Sequence, residues 1–182
     1  RNYIGDDAFF EAIRRYLTDN KFKAAEFHHL RLAFEDVTGE DLNWFFNQWY
    51  TASGHPVLTF GHKVAEDGKS VNVTVEQKQD LDKYPIFKLP VQMAVFDATG
   101  KHVHKVVIDK VNQSFNFPIS GELKGIHFDD QQMLLAKIKD DKSIEEGIFQ
   151  FYNGGRFASR RDGFLLGTKD KTEVGQKLIL DA

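Results

Sequence analysis

The chain has 182 residues, 41% of them apolar, with 27 acidic side chains against 24 basic ones and no cysteine. That is enough length and apolar mass for one or two domains with a real core, and it excludes the low-hydrophobicity class that stays unfolded. Interspersed charges exclude a basic nucleic-acid groove or polybasic membrane patch, and the missing thiols exclude disulfides, thiolate nucleophiles and Cys-ligated zinc.

No apolar run approaches the ~18 residues a membrane span needs. Absence of cysteine does not choose between a cytoplasmic and a periplasmic or secreted location. Seventeen phenylalanines favour thick packed interfaces. The chain opens "RNYIGDDAFFEAIRRYL", without Met and almost directly inside a helical pattern. It is therefore expected to be a segment of a longer polypeptide, and a missing targeting signal carries no weight.

From Asp6 to Leu17, Phe9, Ile13, Tyr16 and Leu17 recur at helical spacing, with Asp6 and Asp7 placed for the N-terminal cap and dipole. Ala24 to Val37 repeats the pattern through Phe27, Leu30 and Phe34, and Thr38-Gly39 ends it. Thr38 with Asp41 then predicts a capping-box variant for a third helix. In "GEDLNWFFNQWYTASGHPVL" five aromatic residues fall between Trp44 and Tyr50. Leu42, Phe45, Phe46 and Trp49 share one face, while Trp44 and Tyr50 point elsewhere. A helix apolar around its girth is expected to be buried between layers, so these four residues are candidates for interdomain packing. An exposed aromatic platform for sugars or bases is the rival reading. Gly54 and Pro56 stop the helix.

After Pro56 the period changes to two. "VLTFGHKV", "SVNVTVEQKQ", "IFKLPVQMAVF", "HVHKVVID", "QSFNFPI" and "GIHFD" alternate apolar with polar between turn segments such as "EDGKS" and "DATGK". They predict an antiparallel β-sandwich, with "MLLAKI" as its last strand, ending near Asp140. From Ser143 the helical period returns, with Ser143 and Glu146 forming a capping box. Further helices are expected from Arg156 to about Leu166 and from Thr172 to the end. The fold class expected is an α+β multidomain fragment: a helical segment (1–55), an antiparallel β-sandwich (56–140) and a helical region (141–182).

Few residues offer chemistry. His102 and His104 in "HVH" project from one face of a strand and could place two imidazoles on a metal, with His127, Asp129 or Asp130 supplying a third ligand. The alternative is ordinary polar positions on a solvated strand. His28 and His29 are adjacent on a helix and point about 100° apart, so they cannot share a metal. His55 reads as a loop residue. Arg156, Arg160 and Arg161 form a small basic face able to hold a carboxylate, or else pairing with neighbours such as Asp162 or Glu173. No G-x-S-x-G or phosphate-binding loop occurs.

The first 58 residues resemble the end of the catalytic domain of zinc aminopeptidases of the M1 (aminopeptidase N-like, gluzincin) family. Gly5-Asp6, Phe9, Tyr16-Leu17, Phe22, Ala25, Leu30, Thr38-Gly39, Asp41-Leu42, Phe46, Trp49, Gly54 and Pro56 carry the resemblance. "VTVEQKQ" and "FKLPVQMAVFDATGK" look like the small sandwich domain that comes next in many members. "SIEEGIFQFYNGGRFASRRDGFLL" looks like the opening of their C-terminal helical, HEAT-like domain. The resemblance implies a zinc-dependent parent that removes N-terminal residues from peptides.

The family's H-E-x-x-H is absent, because no His here is followed by Glu. No catalytic or metal role is therefore carried onto any residue. This segment's expected partner is the rest of its own polypeptide, and its expected task is structural. The rivals are a non-catalytic scaffold and a module whose sandwich (57–140) binds a peptide or glycan. His29 stands where relatives commonly show Asp. Gly163 stands where Ala is common, at an expected cost of about 1 kcal/mol in a helix interior.

Overall fold

The structure is a computed structural model and describes residues 1–180. The last two residues of the third expected C-terminal helix lie outside the described residues. The chain divides into two compact units, the first Arg1–Gly54 and the second from His55 onward.

The first unit holds α1 (Asp6–Asp19), α2 (Phe27–Thr38) and α3 (Asn43–Phe46), the last running into a π-helical turn, Asn47–Thr51. Ala12, Phe34, Leu42 and Phe46 form its core, with Phe9, Ile13, Leu30, Val37 and Phe45 packed around them. The aromatic run supplies ring contacts here. Trp44 meets Tyr3 edge-on at 5.6 Å between centroids and Phe45 edge-on at 5.6 Å, while Phe46 stacks on Tyr50 at 5.0 Å. Leu42 and Phe46 are buried, Phe45 and Trp49 half-buried, and Tyr50 is exposed.

The caps differ from expectation in three places. Gly5, not an aspartate, is the N-cap of α1, and Asp6 instead makes two bonds to the Arg1 guanidinium at 2.8 and 2.6 Å. Helix α2 starts at Phe27 rather than Ala24, because Glu26 and His29 cap it reciprocally. His29 Nδ1 accepts from the Glu26 amide at 2.9 Å, so this histidine does the work of a capping-box acid. Thr38 does not cap α3. Its hydroxyl donates to the Phe34 carbonyl and accepts from the Glu40 amide. Two carboxylates serve α3: Glu35 accepts from Leu42 N at 2.9 Å and Asp41 from Asn43 N at 2.8 Å. Gly39 ends α2 at φ 70°, as its position predicted.

The second unit is built from two sheets and three helices. The strands are β1 (Val57–Val64), β2 (Ser70–Gln77), β3 (Leu89–Asp97), β4 (Gly100–Ile108), β5 (Asn112–Pro118), β6 (Gly125–Phe128) and β7 (Lys137–Asp140). One sheet has the order β5-β2-β1-β7 and the other β4-β3-β6. Among the described residues every pairing is antiparallel except β1 with β7, so the first sheet is mixed. The inner faces meet through Leu58, Phe60, Val73, Val75, Met93, Val95 and Ile126, all buried. Phe60 and Phe128 touch across the sheets with ring centroids 5.1 Å apart.

"MLLAKI" contributes only its end to β7. The amides of Met133 and Leu134 are taken by the Asp129 carboxylate at 3.0 and 2.8 Å, so they cannot enter a ladder. Leu135 is left exposed.

All four residues of β6 are buried. Ile126 and Phe128 face the other sheet, so Gly125 and His127 face the opposite way by alternation. That second face is covered by α4 (Ile144–Asn153), whose Phe149 ring packs on Phe96 at 5.2 Å and on His127 at 6.0 Å. A Cβ on Gly125 would stand 3.0 Å from the Phe149 ring. Helices α5 (Phe157–Gly167) and α6 (Glu173–Leu180) come after it. Ser143 and Glu146 form the predicted capping box of α4, with Glu146 N 3.2 Å from the Ser143 hydroxyl and Ser143 N 2.9 Å from the Glu146 carboxylate.

Gly163 is a requirement of this packing. A Cβ there would lie 2.5 Å from Phe151 N and 2.6 Å from Gly147 O, both backbone atoms of α4. The substitution Gly163→Ala is therefore expected to destabilise the second unit. Overpacking against backbone costs ~1–3 kcal/mol and outweighs the ~1 kcal/mol that Ala offers as a helix former. Urea denaturation followed by far-UV circular dichroism reads the effect. Trp44 and Trp49 are the chain's two tryptophans and both lie in the first unit, so their fluorescence transition should stay unchanged. An unchanged or raised stability of the second unit would refute the close approach.

Candidate functional site

A connected set of ionisable and polar side chains lies in the second unit, where α4 meets the sheets. It has two halves. In the first, His62 on β1 places Nε2 3.0 Å from a Glu146 carboxylate oxygen. The other oxygen of Glu146 caps α4, so one carboxylate fixes both the helix start and its seat on the strand. The hydrogen bond from His62 holds the Glu146 pKa below the ordinary value, against the opposing effect of burial. Lys142, with its side chain only 5% exposed, binds Asp140 at 2.5 Å and the Gln150 amide oxygen at 2.9 Å. Burial nonetheless pushes the Asp140 pKa up, outweighing the neighbouring ammonium. The Gln150 amide nitrogen in turn donates to the Ser159 carbonyl at 3.0 Å, extending the network to α5.

In the second half, His127 Nδ1 lies 3.3 Å from Asp130 Oδ1, and Lys101 Nζ lies 2.6 Å from Asp130 Oδ2. His127 and Asp130 have side chains 2% and 1% exposed. Burial drives the His127 pKa down to about 4, helped by the charge of Lys142. Burial also works against the Asp130 anion, but the hydrogen bond and charge of Lys101 prevail and hold its pKa below the ordinary value. The Lys101 ammonium also sits 5.5 Å from the centre of the Phe96 ring.

His102 and His104 share one face of β4, but the third ligand that a metal would need is not beside them. His104 is paired with Met93 and His102 with Val95, whereas His127 is paired with Ala94. Met93 and Val95 face the inside of the sandwich, and Ala94 lies on the face toward α4. His102 and His104 therefore project from the opposite face of the sheet to His127. His102 Nε2 is engaged by Asp97 at 3.1 Å and by the Thr99 hydroxyl at 2.9 Å, and His104 stacks on Phe117 at 4.3 Å. Asp129 is spent on the Met133 and Leu134 amides. Among the described residues no group of three or more potential ligands could hold a metal ion, so the side chains of this segment do not fit a zinc site.

The three arginines lie at the start of α5, with Arg156 as its N-cap residue and Arg160 N bonded to the Arg156 carbonyl at 3.0 Å. Arg156 Nε donates to the Gln131 side chain at 3.1 Å, and Arg161 pairs with Asp162 at 3.0 Å. Asp162 also accepts from Gln132 at 2.9 Å, so this end of α5 holds the loop after β6. His28 and His29 lie ring against ring at 4.1 Å on α2. In the same unit a cleft of about 360 Å³ lies between α1 and α2, lined by Tyr16, Asp19, Lys23, His29 and Asp36 among others.

Two polar anchors escaped the sequence reading. Gln77 and Gln79 are buried, and Gln77 Oε1 accepts from Phe87 N at 2.9 Å while its Nε2 donates to Phe87 O at 2.8 Å. Gln79 donates to Gln77 and to the Pro85 carbonyl, both at 2.9 Å. The signal was present, because Val71, Val73, Val75, Gln77 and Gln79 continue one period-two face. Asp97, also buried, accepts from Thr99 and from Ser120 N at 2.8 Å. These bonds, the Thr99 hydroxyl's first, hold its pKa far below the ordinary carboxylate range.

No family model matches the chain. Among curated proteins it is 29% identical over 191 aligned positions to tricorn protease-interacting factor F2 of Thermoplasma acidophilum, covering 99% of this chain and 23% of that protein. The same-named factor of Thermoplasma volcanium is 34% identical over 76 residues, 42% of this chain and 9% of the relative. Aminopeptidase N of Haemophilus influenzae is 28% identical over 102 residues, 53% of this chain and 12% of the relative. The crystal structure of Legionella pneumophila aminopeptidase A in complex with aspartic acid superposes with a TM-score of 0.80 at 16% identity. That match covers 97% of this chain and 22% of the other, and it shows the shared fold. The chain thus spans less than a quarter of the length of these relatives.

The half-site at Lys142 has a checkable energetic signature. Lys142→Met should cost about 2–3 kcal/mol, below the ~3–5 kcal/mol of a fully buried pair because Asp140 keeps some water contact. The double variant Lys142→Met/Asp140→Asn should recover most of that loss. A thermodynamic cycle from urea denaturation reads the coupling, and additive effects of the two single substitutions would disprove it.

Proposed function

We propose, for a chain homologous to a portion of the M1-family aminopeptidases, that it forms the structural rear of a zinc-dependent enzyme removing N-terminal residues from peptides. The observation that carries this reading is the match over 99% of the chain to a relative of which it makes up only 23%. In this reading residues 1–55 complete the back of the catalytic domain, 56–140 form the spacing sandwich and 141–182 begin the helical domain. Leu42 and Phe46 then anchor that rear helix in the first unit's own core, Phe45 and Trp49, half-buried, pack it into the larger body, and Arg156, Arg160 and Arg161 are the residues of this segment nearest in character to a ligand contact. Zinc and peptide belong to the catalytic half, which supplies the water-activating chemistry. This segment supplies the rigid support that keeps such a site in register.

No His in this sequence is followed by Glu, and His102 and Asp129 are engaged within the fold, which supports a non-catalytic task for these residues. Two measurements test the reading. The coding sequence upstream of Arg1 is expected to contain H-E-x-x-H followed by a helix with a second Glu; its absence would leave a scaffold and remove peptidase activity. The isolated chain is expected to release no product from an aminoacyl-amide. Turnover abolished by a chelator would overturn the structural assignment.

A further inference from the structure

We propose that His127 is an acid-sensitive latch holding α4 and the helices after it against the β4-β3-β6 sheet. The latch is closed while the imidazole is neutral and opens when it takes a second proton.

The geometry around the ring sets its protonation. A carboxylate only accepts, so the Nδ1 facing Asp130 carries the neutral ring's single proton. Nε2 is then a bare acceptor, buried and without a hydrogen-bond partner among the described residues. The ring packs against Phe96 of β3, with centroids 4.5 Å apart, and against Phe149 of α4 at 6.0 Å, and those two rings also touch each other at 5.2 Å. Protonation would turn Nε2 into a charged donor with no acceptor, walled by rings on the face that α4 must cover.

The charged groups around the ring cannot absorb the new charge. From the loop after β6 comes Asp130, already bound to Lys101 of β4 at 2.6 Å. Ahead of α4 comes Lys142, already bound to Asp140. The charges that act on the ring are thus Lys142 and Lys101, which oppose a positive imidazole, and Asp130, which favours it but is shared with Lys101. A further positive charge is relieved by exposing the ring, which means parting Phe149 and α4 from the sheet.

The sign is definite. The folded-state value of about 4 lies below the ordinary 6.5, so His127 contributes stability that is present above 6.5 and lost as pH falls toward 4. Asp140 acts in the opposite sense, since a raised carboxylate favours the closed state as it protonates. Asp130 and Glu146 have depressed values, and their contribution is lost only below the ordinary carboxylate range. His104 has its value lowered by burial, then by His102, and acts in the same sense as His127. It sits on the other face of the sheet, against Phe117 of β5, so its effect falls on a different segment.

Hydrogen–deuterium exchange of the whole chain, at about pH 7 and about pH 4.5 and corrected for the intrinsic rate, separates these effects. Protection of residues 144–153 is expected to fall on the order of fiftyfold between the two pH values, as the linkage relation requires for this pair of proton affinities. In His127→Asn, which keeps a donor toward Asp130 but cannot titrate, that dependence should vanish. In His104→Asn it should persist. Equal protection of 144–153 at both pH values, or the same fall in His127→Asn, would overturn the latch. Should His127→Asn fail to fold, an NMR titration of the unmodified chain decides the question. An imidazole titrating near 4 supports the proposal, and one titrating near 6.5 refutes it.

Discussion

Strands β3 and β6 are largely buried on both faces while β4 stays mostly exposed, and much of the second unit is a consequence of that burial. One face meets the β5-β2-β1-β7 sheet through Met93, Val95 and Ile126 against Phe60 and Val73. The other must be covered by α4, because Phe96 and His127 would otherwise leave a large aromatic and polar surface in water. Gly125 admits the Phe149 ring to the sheet. Gly147 and Gly163 admit α5 to the back of α4, where an added Cβ would fall within 3 Å of its neighbours. Close approach is thus passed outward layer by layer, from sheet to α4 to α5.

Apolar contact sets how close the layers come, and polar groups set their register. Glu146 joins the α4 cap to His62 of one sheet, while Asp130 joins His127 and Lys101 of the other. Gln77 and Gln79 do the same for the loop before β3. Each is a side chain whose hydrogen-bonding capacity is largely met inside the fold, which is where a buried polar group adds specificity instead of only cost. The residue types that suggested chemistry are therefore largely consumed by architecture.

The first unit is organised differently. Its core is small, and a ring-on-ring chain runs from an exposed Tyr3 through Trp44, Phe45 and the buried Phe46 to an exposed Tyr50. The π-helical turn at Asn47–Thr51 interrupts the regular period there. Periodicity predicted Leu42, Phe45, Phe46 and Trp49 as one face. Leu42 and Phe46 do form core, with Phe45 packed against it, but the wider turn rotates the residues beyond Phe46, and Tyr50 ends exposed.

The elements were legible in the residues themselves. Period two read out β1 to β6 within a few residues, the Ser143–Glu146 box located α4, and Gly39 located the end of α2, because these signals act over one or two turns of chain. The resemblance to the aminopeptidase family was legible for the same reason, in the spacing of local caps and helix faces. What only the tertiary structure decided is pairing and side. The parallel β7 beside β1 and Gly163 as a contact instead of a defect depend on residues distant in sequence. So does the separation of "HVH" from His127. Alternation along each strand shows which residues share a face, but only the register across β3 shows that the two histidine groups lie on opposite faces of one sheet.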